Sequence, residues 1–158
     1  VTKVDLSALT EETVHTLQIA AEQKKQTLTA DIAPGITLDG DSGKLMQIFY
    51  NLTDNAIKYT PENGHIAVRL AQSGANVLFA VTDDGIGIPE EDQKHIFERF
   101  YRVDKARSRA TGGTGLGLSI VRQLAAMHGG TVSVSSQPGQ GATFTVTLPM
   151  DAKRGEKA

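Results

Sequence analysis

Asn51 and Asn55 stand four residues apart and Lys58 follows three later, so on a helix all three project from one side. A neutral amide oxygen suits Mg²⁺, a hard cation that takes oxygen ligands and completes its shell with water and phosphate oxygens. Lys58 is suited to contact a phosphate. Taken alone, an Asn-x-x-x-Asn pair fits an ordinary solvent-facing helix better than a ligand set, because Asn is common on surfaces.

A second group is Asp83-Asp84-Gly85-Ile86-Gly87-Ile88-Pro89, where an alternating stretch ends in an acidic turn with two glycines. A carboxylate at a strand end accepts a hydrogen bond from the exocyclic amine of adenine, whereas guanine presents a carbonyl there. Asp83 is the candidate base reader. Alone, the same residues read equally well as a structural turn in which Asp caps the backbone and Gly supplies positive φ.

A third group, Gly112-Gly113-Thr114-Gly115-Leu116-Gly117-Leu118, runs directly into a helical pattern. Missing side chains let a phosphate approach the backbone, and the free N–H groups of a helix start favour an anion. A hinge or packing turn fits it as well. Between the second and third groups lies Phe97-Glu98-Arg99-Phe100-Tyr101-Arg102, then Lys105, Arg107 and Arg109, five cations in eleven residues. That local field suits a triphosphate, with Arg102 the preferred contact, although a charge run is usually a solvated face. Phe97 and Phe100 read as hydrophobic anchors of a short helix.

Other chemistries fail on spacing. Gly43-Lys44-Leu45 lacks the Ser or Thr and the upstream glycine of a P-loop, and neither Gly85-Ile86-Gly87 nor Gly115-Leu116-Gly117 continues as a dinucleotide fingerprint. His15, His65, His95 and His128 are scattered, without metal-ligand spacing. His128, before Gly129-Gly130, reads as a helix-end residue beside the negative pole.

The elements that must position these groups follow from periodicity. Asp5 caps a first helix reaching about Gln26, with Leu6, Leu9, Thr13, Leu17 and Ala20 on its stripe. Leu28, Ala30 and Ile32 alternate as a short strand, and 33–43 is turn-rich. Asp41 caps a second helix that buries Leu45, Ile48, Phe49, Leu52 and Ala56, which puts Asn51, Asn55 and Lys58 on its other side. Ile66, Val68, Leu70 and then Val77, Phe79, Val81 form a hairpin about Gly74-Ala75-Asn76. A short helix is expected from Pro89 to about Phe100, and a third long one over 116–127, ended by Gly129-Gly130. Val132, Val134 and then Phe144, Val146, Leu148 make a second hairpin, with Thr143, Thr145 and Thr147 on the opposite parity.

Alternation in nearly every strand means that one sheet face is buried and the other polar. The expected fold class is α/β (α+β): a two-layer sandwich of three helices on a mixed five-stranded sheet. With 158 residues this is one domain over 1–150, followed by a polar tail over 151–158 expected to be mobile.

Composition narrows the partners. At 39% hydrophobic and 22% charged the chain reads as globular and soluble, and its apolar runs are too short to cross a bilayer. The absence of cysteine excludes disulfides, thiolate metal sites and thiol redox chemistry. A net charge of −2 gives no general attraction for nucleic acid or anionic lipid, so a polyanion must be held locally.

In this order, Asn51-Leu-Thr-Asp-Asn55-Ala-Ile-Lys58-Tyr59-Thr-Pro, Asp83-Asp-Gly-Ile-Gly87, Phe97-Glu-Arg-Phe100-Tyr-Arg102 and Gly113-Thr-Gly-Leu-Gly117-Leu resemble the signature boxes of bacterial sensor histidine kinases. The resemblance spans about residues 5 to 149, and Arg102-Val-Asp-Lys-Ala-Arg107 is similar in particular to Gram-positive cell-wall and phosphate-sensing kinases. It implies a Bergerat-type ATP fold, with Mg·ATP between the second and third long helices under a lid over about 88–113. Asn55 is then the main Mg²⁺ ligand, Asn51 lies near the transferred phosphate, Lys58 and Tyr59 line the phosphate region, and Asp83 reads adenine. Further nucleotide contacts are implied for Gly85, Gly87, Ile88, Arg102, Gly113, Thr114, Gly115, Leu116, Gly117 and Leu118. Thr143, after Gly139-Gln140-Gly141, is expected to help hold the base, while Ala142 stands where many relatives have Thr.

The same resemblance separates kinase from hydrolase. Related ATPases place a water-activating Glu one turn before the Mg²⁺ Asn; here that place is Asn51, an amide that cannot take a proton. Phosphoryl transfer relies mainly on position and charge neutralisation, so bound ATP awaits an acceptor. The family's phosphoacceptor segment, a His followed by an acidic residue, a basic residue and Pro, is absent. The implied partners are therefore a histidine-bearing dimerisation domain of the same full-length kinase, placed before Val1, and a response regulator. The implied setting is the cytoplasmic part of a membrane-bound dimer, with this fragment itself a monomer. A same-fold ATPase or serine kinase, and a nucleotide-binding module without transfer, are the rival readings.

Overall fold

The computed structural model describes residues 2–85, 87–88, 90–93, 95–98, 117–136 and 140–150. Helix α1 spans Leu6–Gln23 and starts where Asp5 caps it, the side chain accepting the Ala8 N–H at 3.0 Å. Helix α2, Ser42–Tyr59, starts at Asp41 in the same way, accepting the Lys44 N–H at 3.0 Å. The short α3 covers Glu90–Gln93 and α4 covers Gly117–Met127. The strands are β1 Thr2–Asp5, β2 Thr27–Ile32, β3 Thr37–Gly40, β4 His65–Ser73, β5 Asn76–Asp83, β6 Thr131–Ser136 and β7 Ala142–Pro149.

The main sheet has five strands in the order β2-β4-β5-β7-β6, mixed because β2 and β4 run parallel while every other pair is antiparallel. Alternate residues of β4, β5 and β7 are buried, among them Ile66, Val68, Leu70, Val77, Phe79, Val81, Phe144, Val146 and Leu148. They meet the apolar stripe of α2, whose Phe49 ring stacks on Phe79 with centroids 3.9 Å apart. Helix α2 packs against both α1 and α4, so the helices form one layer over one sheet face. The Phe97 ring meets Phe144 edge-on at 6.0 Å and anchors the chain after α3 to this core, as its spacing predicts.

Three expectations change. Helix α1 stops at Gln23 rather than about Gln26, because Lys25 adopts φ 57 and the Gln26 N–H turns back to the Ala21 carbonyl. The stretch 33–43 is more than turns: β3 lies within it and pairs antiparallel with β1 in a separate two-stranded sheet. Both strands are four residues long, too short for periodicity to register, and burial of Val4 and Leu38 accounts for their pairing. The short helix predicted over 89–100 is reduced to α3 within the described residues, a turn following at 95–97. Among the described residues no helix is long and apolar enough to cross a membrane.

Candidate functional site

The amphipathic pattern of α2 decides how its polar residues sit. With Leu45, Ile48, Phe49, Leu52 and Ala56 buried, Asn51, Asn55, Lys58 and Tyr59 emerge half-buried at the helix border. Lys58 is held by Asp54, Nζ to Oδ2 3.2 Å, a pair four residues apart on the helix surface. The motif reading missed Asp54, although an acid four residues before a lysine is a recognisable signal. Both partners are partly solvated, so the pair orients Lys58 more than it stabilises the fold.

Strand β5 delivers Asp83 to the same end of the molecule. Asp83 is 7% exposed and its Oδ1 accepts the Gly85 N–H at 2.9 Å. Gly85 packs so tightly that a methyl group there would stand 2.8 Å from the Tyr59 carbonyl oxygen and 3.1 Å from Asp83 Oδ1. Glycine thus lets the end of α2 at Tyr59 and the end of β5 at Asp83 come together. On the other side of Asp83, Gly141 adopts φ 82, and any Cβ would collide with the Asp83 carbonyl oxygen.

Asp84 works differently from its neighbour. Its Oδ1 accepts the His65 backbone N–H at 2.7 Å, Oδ2 lies 3.0 Å from His65 Nδ1, and the Asp84 N–H returns to the His65 carbonyl. The His65 backbone N–H, helped by the ring, holds the Asp84 carboxyl below the usual carboxylate range. Asp84 therefore fastens the end of β5 to the start of β4 and leaves Asp83 in its place.

Beyond Asp83 the chain is pinned again. The Ile88 N–H donates to Ser136 Oγ at 2.8 Å, Ser136 Oγ donates to the Gly141 carbonyl at 2.6 Å, and Gln93 Nε2 bridges the carbonyls of Ile88 and Ser136 at 2.8 and 2.9 Å. Gly87, buried at φ 77, lies within this anchored stretch. No local pattern announces Ser136 or Gln93, because their partners are distant in sequence.

Helix α4 brings Gly117 and the half-buried Leu118. Its C-terminal end meets the N-terminal end of α2, where His128 Nε2 accepts the Asp41 N–H, and the two helices pack against each other. Of the expected nucleotide contacts, Arg102, Gly113, Thr114, Gly115 and Leu116 lie outside the described residues.

Thr143 is corrected. In β7 it is Ala142, paired in register with Asp83, that is buried on the Asp83 side, whereas Thr143 turns to the uncovered sheet face with its Oγ1 3.1 Å from Thr82 Oγ1. Side chains alternate across a strand, so Thr143 cannot share a face with Ala142. On that outer face it borders a broad depression of about 530 Å³ with Asp31, Arg69 and Thr82, away from Asp83.

Among the described residues no three His, Cys, Asp or Glu side chains gather into a metal cage. The available donors are the α2 amides, which fits Mg²⁺ carried in by phosphate oxygens and touched by one or two protein oxygens.

A family model for histidine kinase-, DNA gyrase B- and HSP90-like ATPases matches residues 40–152. The sensor-like histidine kinase SenX3 of Mycolicibacterium smegmatis is 47% identical over 146 residues, which are 92% of this chain and 38% of that protein. The chain thus spans less than half the length of that curated relative. The solved mycobacterial sensor histidine kinase MprB is 30% identical, with 94% of this chain and 95% of that one covered and a TM-score of 0.78. The catalytic domain of histidine kinase ThkA, in a nucleotide-free form, superposes with a TM-score of 0.85 at 27% identity over 97% of both chains. Together with the fold, these likenesses establish that the chain belongs to the histidine kinase-, DNA gyrase B- and HSP90-like ATPases, as the ATP-binding catalytic domain of a sensor histidine kinase.

Proposed function

We propose that this domain binds Mg·ATP between α2 and α4 and donates the γ-phosphate to a histidine on a separate dimerisation domain of the same full-length kinase, which then serves a response regulator. The observation that supports this reading is the close approach at Gly85, which brings the last turn of α2, the helix that carries Asn51, Asn55 and Lys58, against the buried Asp83. Asp83 accepts the adenine amine, Asn55 supplies an amide oxygen to Mg²⁺, and Lys58, steadied by Asp54, faces the phosphates. Magnesium, when bound, neutralises charge on the transferred phosphoryl group.

Asn51 favours transfer over hydrolysis. One turn before Asn55 it offers an amide, which takes no proton from water, so bound ATP waits for a nucleophile brought by the acceptor. Arg102 and the 113–118 box complete the phosphate contacts in this reading, and the full-length protein is a membrane-bound dimer with this domain on the cytoplasmic side.

Incubation of the domain with labelled ATP and a histidine-bearing dimerisation domain tests the proposal. Label should move to the acceptor and be lost in acid, as phosphohistidine is. Acid-stable label would identify a hydroxyl acceptor, and nucleotide binding without any labelling would leave a binding module.

A further inference from the structure

The C-terminal end of α2 has carbonyls to satisfy at the place where Lys58 and Tyr59 stand. Thr60 follows it in extended conformation, φ −98 and ψ 129, so no left-handed turn brings local N–H groups back to them. The donors come from the junction of α1 and β2 instead. Lys24 Nζ lies 2.8 Å from the Ile57 carbonyl oxygen, 3.3 Å from that of Lys58 and 3.1 Å from that of Thr60. Gln26, a residue only 7% exposed, reaches with its Nε2 the carbonyls of Ile57 at 2.9 Å and Thr60 at 2.7 Å.

The end of α1 is shaped to aim these two side chains. The Lys25 N–H bonds the Glu22 carbonyl and the Gln26 N–H the Ala21 carbonyl, both at 2.9 Å, with Lys25 between them at φ 57. A lysine in this left-handed region is disfavoured, and the surrounding bonds must hold it there. Two backbone bonds of 3.0 Å, from the Asn63 N–H to the Lys25 carbonyl and from the Thr27 N–H to the Gly64 carbonyl, fasten this turn to the segment leaving α2.

We propose that Lys24 and Gln26 are positioning residues of the nucleotide site, fixing the last turns of α2 and hence the placing of Asn55, Lys58 and Tyr59 against Mg·ATP. The proposal rests on the reading of α2 as the metal and phosphate helix. Neither residue touches nucleotide. Their amine and amide hold the carbonyls that set where the helix ends, and the Lys24 ammonium offsets the negative pole that α2 would otherwise present near a triphosphate.

The 158-residue chain and its Lys24→Met, Lys24→Arg and Gln26→Met variants allow a direct test, with Mg·ATP and adenosine binding measured by calorimetry and folding checked by circular dichroism. Lys24→Met and Gln26→Met are expected to weaken Mg·ATP about tenfold, the scale of one lost hydrogen bond to a charged group, while adenosine changes less than about twofold. Lys24→Arg should restore most of the difference. If Lys24→Met does not fold, Lys24→Gln, which keeps a donor but no charge, carries the same comparison. Unchanged Mg·ATP affinity in the folded variants overturns the proposal, as does equal loss for Mg·ATP and adenosine, the mark of general loosening. Failure of the unsubstituted chain to bind Mg·ATP refutes the nucleotide reading itself, and this proposal with it.

Discussion

His128 Nε2 lies 3.1 Å from the backbone nitrogen of Asp41 and accepts its N–H, joining the end of α4 to the first turn of α2. With Nε2 an acceptor, Nδ1 carries the proton and donates to the Leu124 carbonyl at 2.9 Å. His128 is 4% exposed and its ring lies against Gly40, where a Cβ would stand 2.7 Å from it. The histidine that reads in sequence as a helix-end residue is thus also the joint between α4 and α2.

His128→Ala removes both bonds and leaves a hole, so unfolding free energy should fall by about 2–4 kcal/mol. Urea denaturation measures this. A change within about 0.5 kcal/mol would show that the joint contributes nothing.

Gly85→Ala places a methyl group 2.8 Å from the Tyr59 carbonyl oxygen, a backbone atom that cannot swing aside, and 3.1 Å from Asp83 Oδ1. Overpacking of this kind costs about 1–3 kcal/mol, and it should part α2 from β5 enough to lower ATP affinity about tenfold or more. Thermal melts and calorimetry on one variant report both effects. Undiminished affinity would mean that the approach of α2 to β5 does not shape the site.

Asp83→Ala should cost about 1.5–3 kcal/mol of ATP binding and erase the preference for ATP over GTP. Asn55→Ala should leave adenine recognition in place and remove the gain in affinity that Mg²⁺ gives. Titrations with ATP, with GTP, and with ATP plus EDTA separate the two roles. An unaltered ATP preference in the first variant would take Asp83 out of the base site.

Acid should loosen the fold through two carboxyls. The Lys44 backbone N–H holds Asp41 below its ordinary 3.8, and the His65 backbone N–H does the same for Asp84. Groups depressed in the folded state contribute stability that is fully present above 3.8 and lost as pH falls through their folded values. The urea midpoint should therefore drop between about pH 5 and about pH 3, and by less in Asp84→Asn than in the parent. Both carboxyls are near the surface, so the effect should shrink in high salt.

The sequence alone determined the features that depend on neighbours within a few residues. Asp5 and Asp41 are legible as helix caps because a capping side chain bonds an N–H three residues on. The buried stripe of α2, and with it the emergence of Asn51, Asn55 and Lys58, follows from helical period, and the one-sided burial of β4, β5 and β7 from strand period. Even the misplacement of Thr143 was correctable from parity, since it alternates with Phe144 and shares a side with Thr145 and Thr147. Tertiary structure decided the rest. The parallel pairing of β2 with β4, the small β1–β3 sheet, the meeting of Asp83 with the end of α2, the grip of Lys24 and Gln26 on that end and the His128 joint all link residues far apart along the chain. Local propensity carries no record of such partners; they are selected when the apolar faces close on one another and the remaining buried polar groups must find each other.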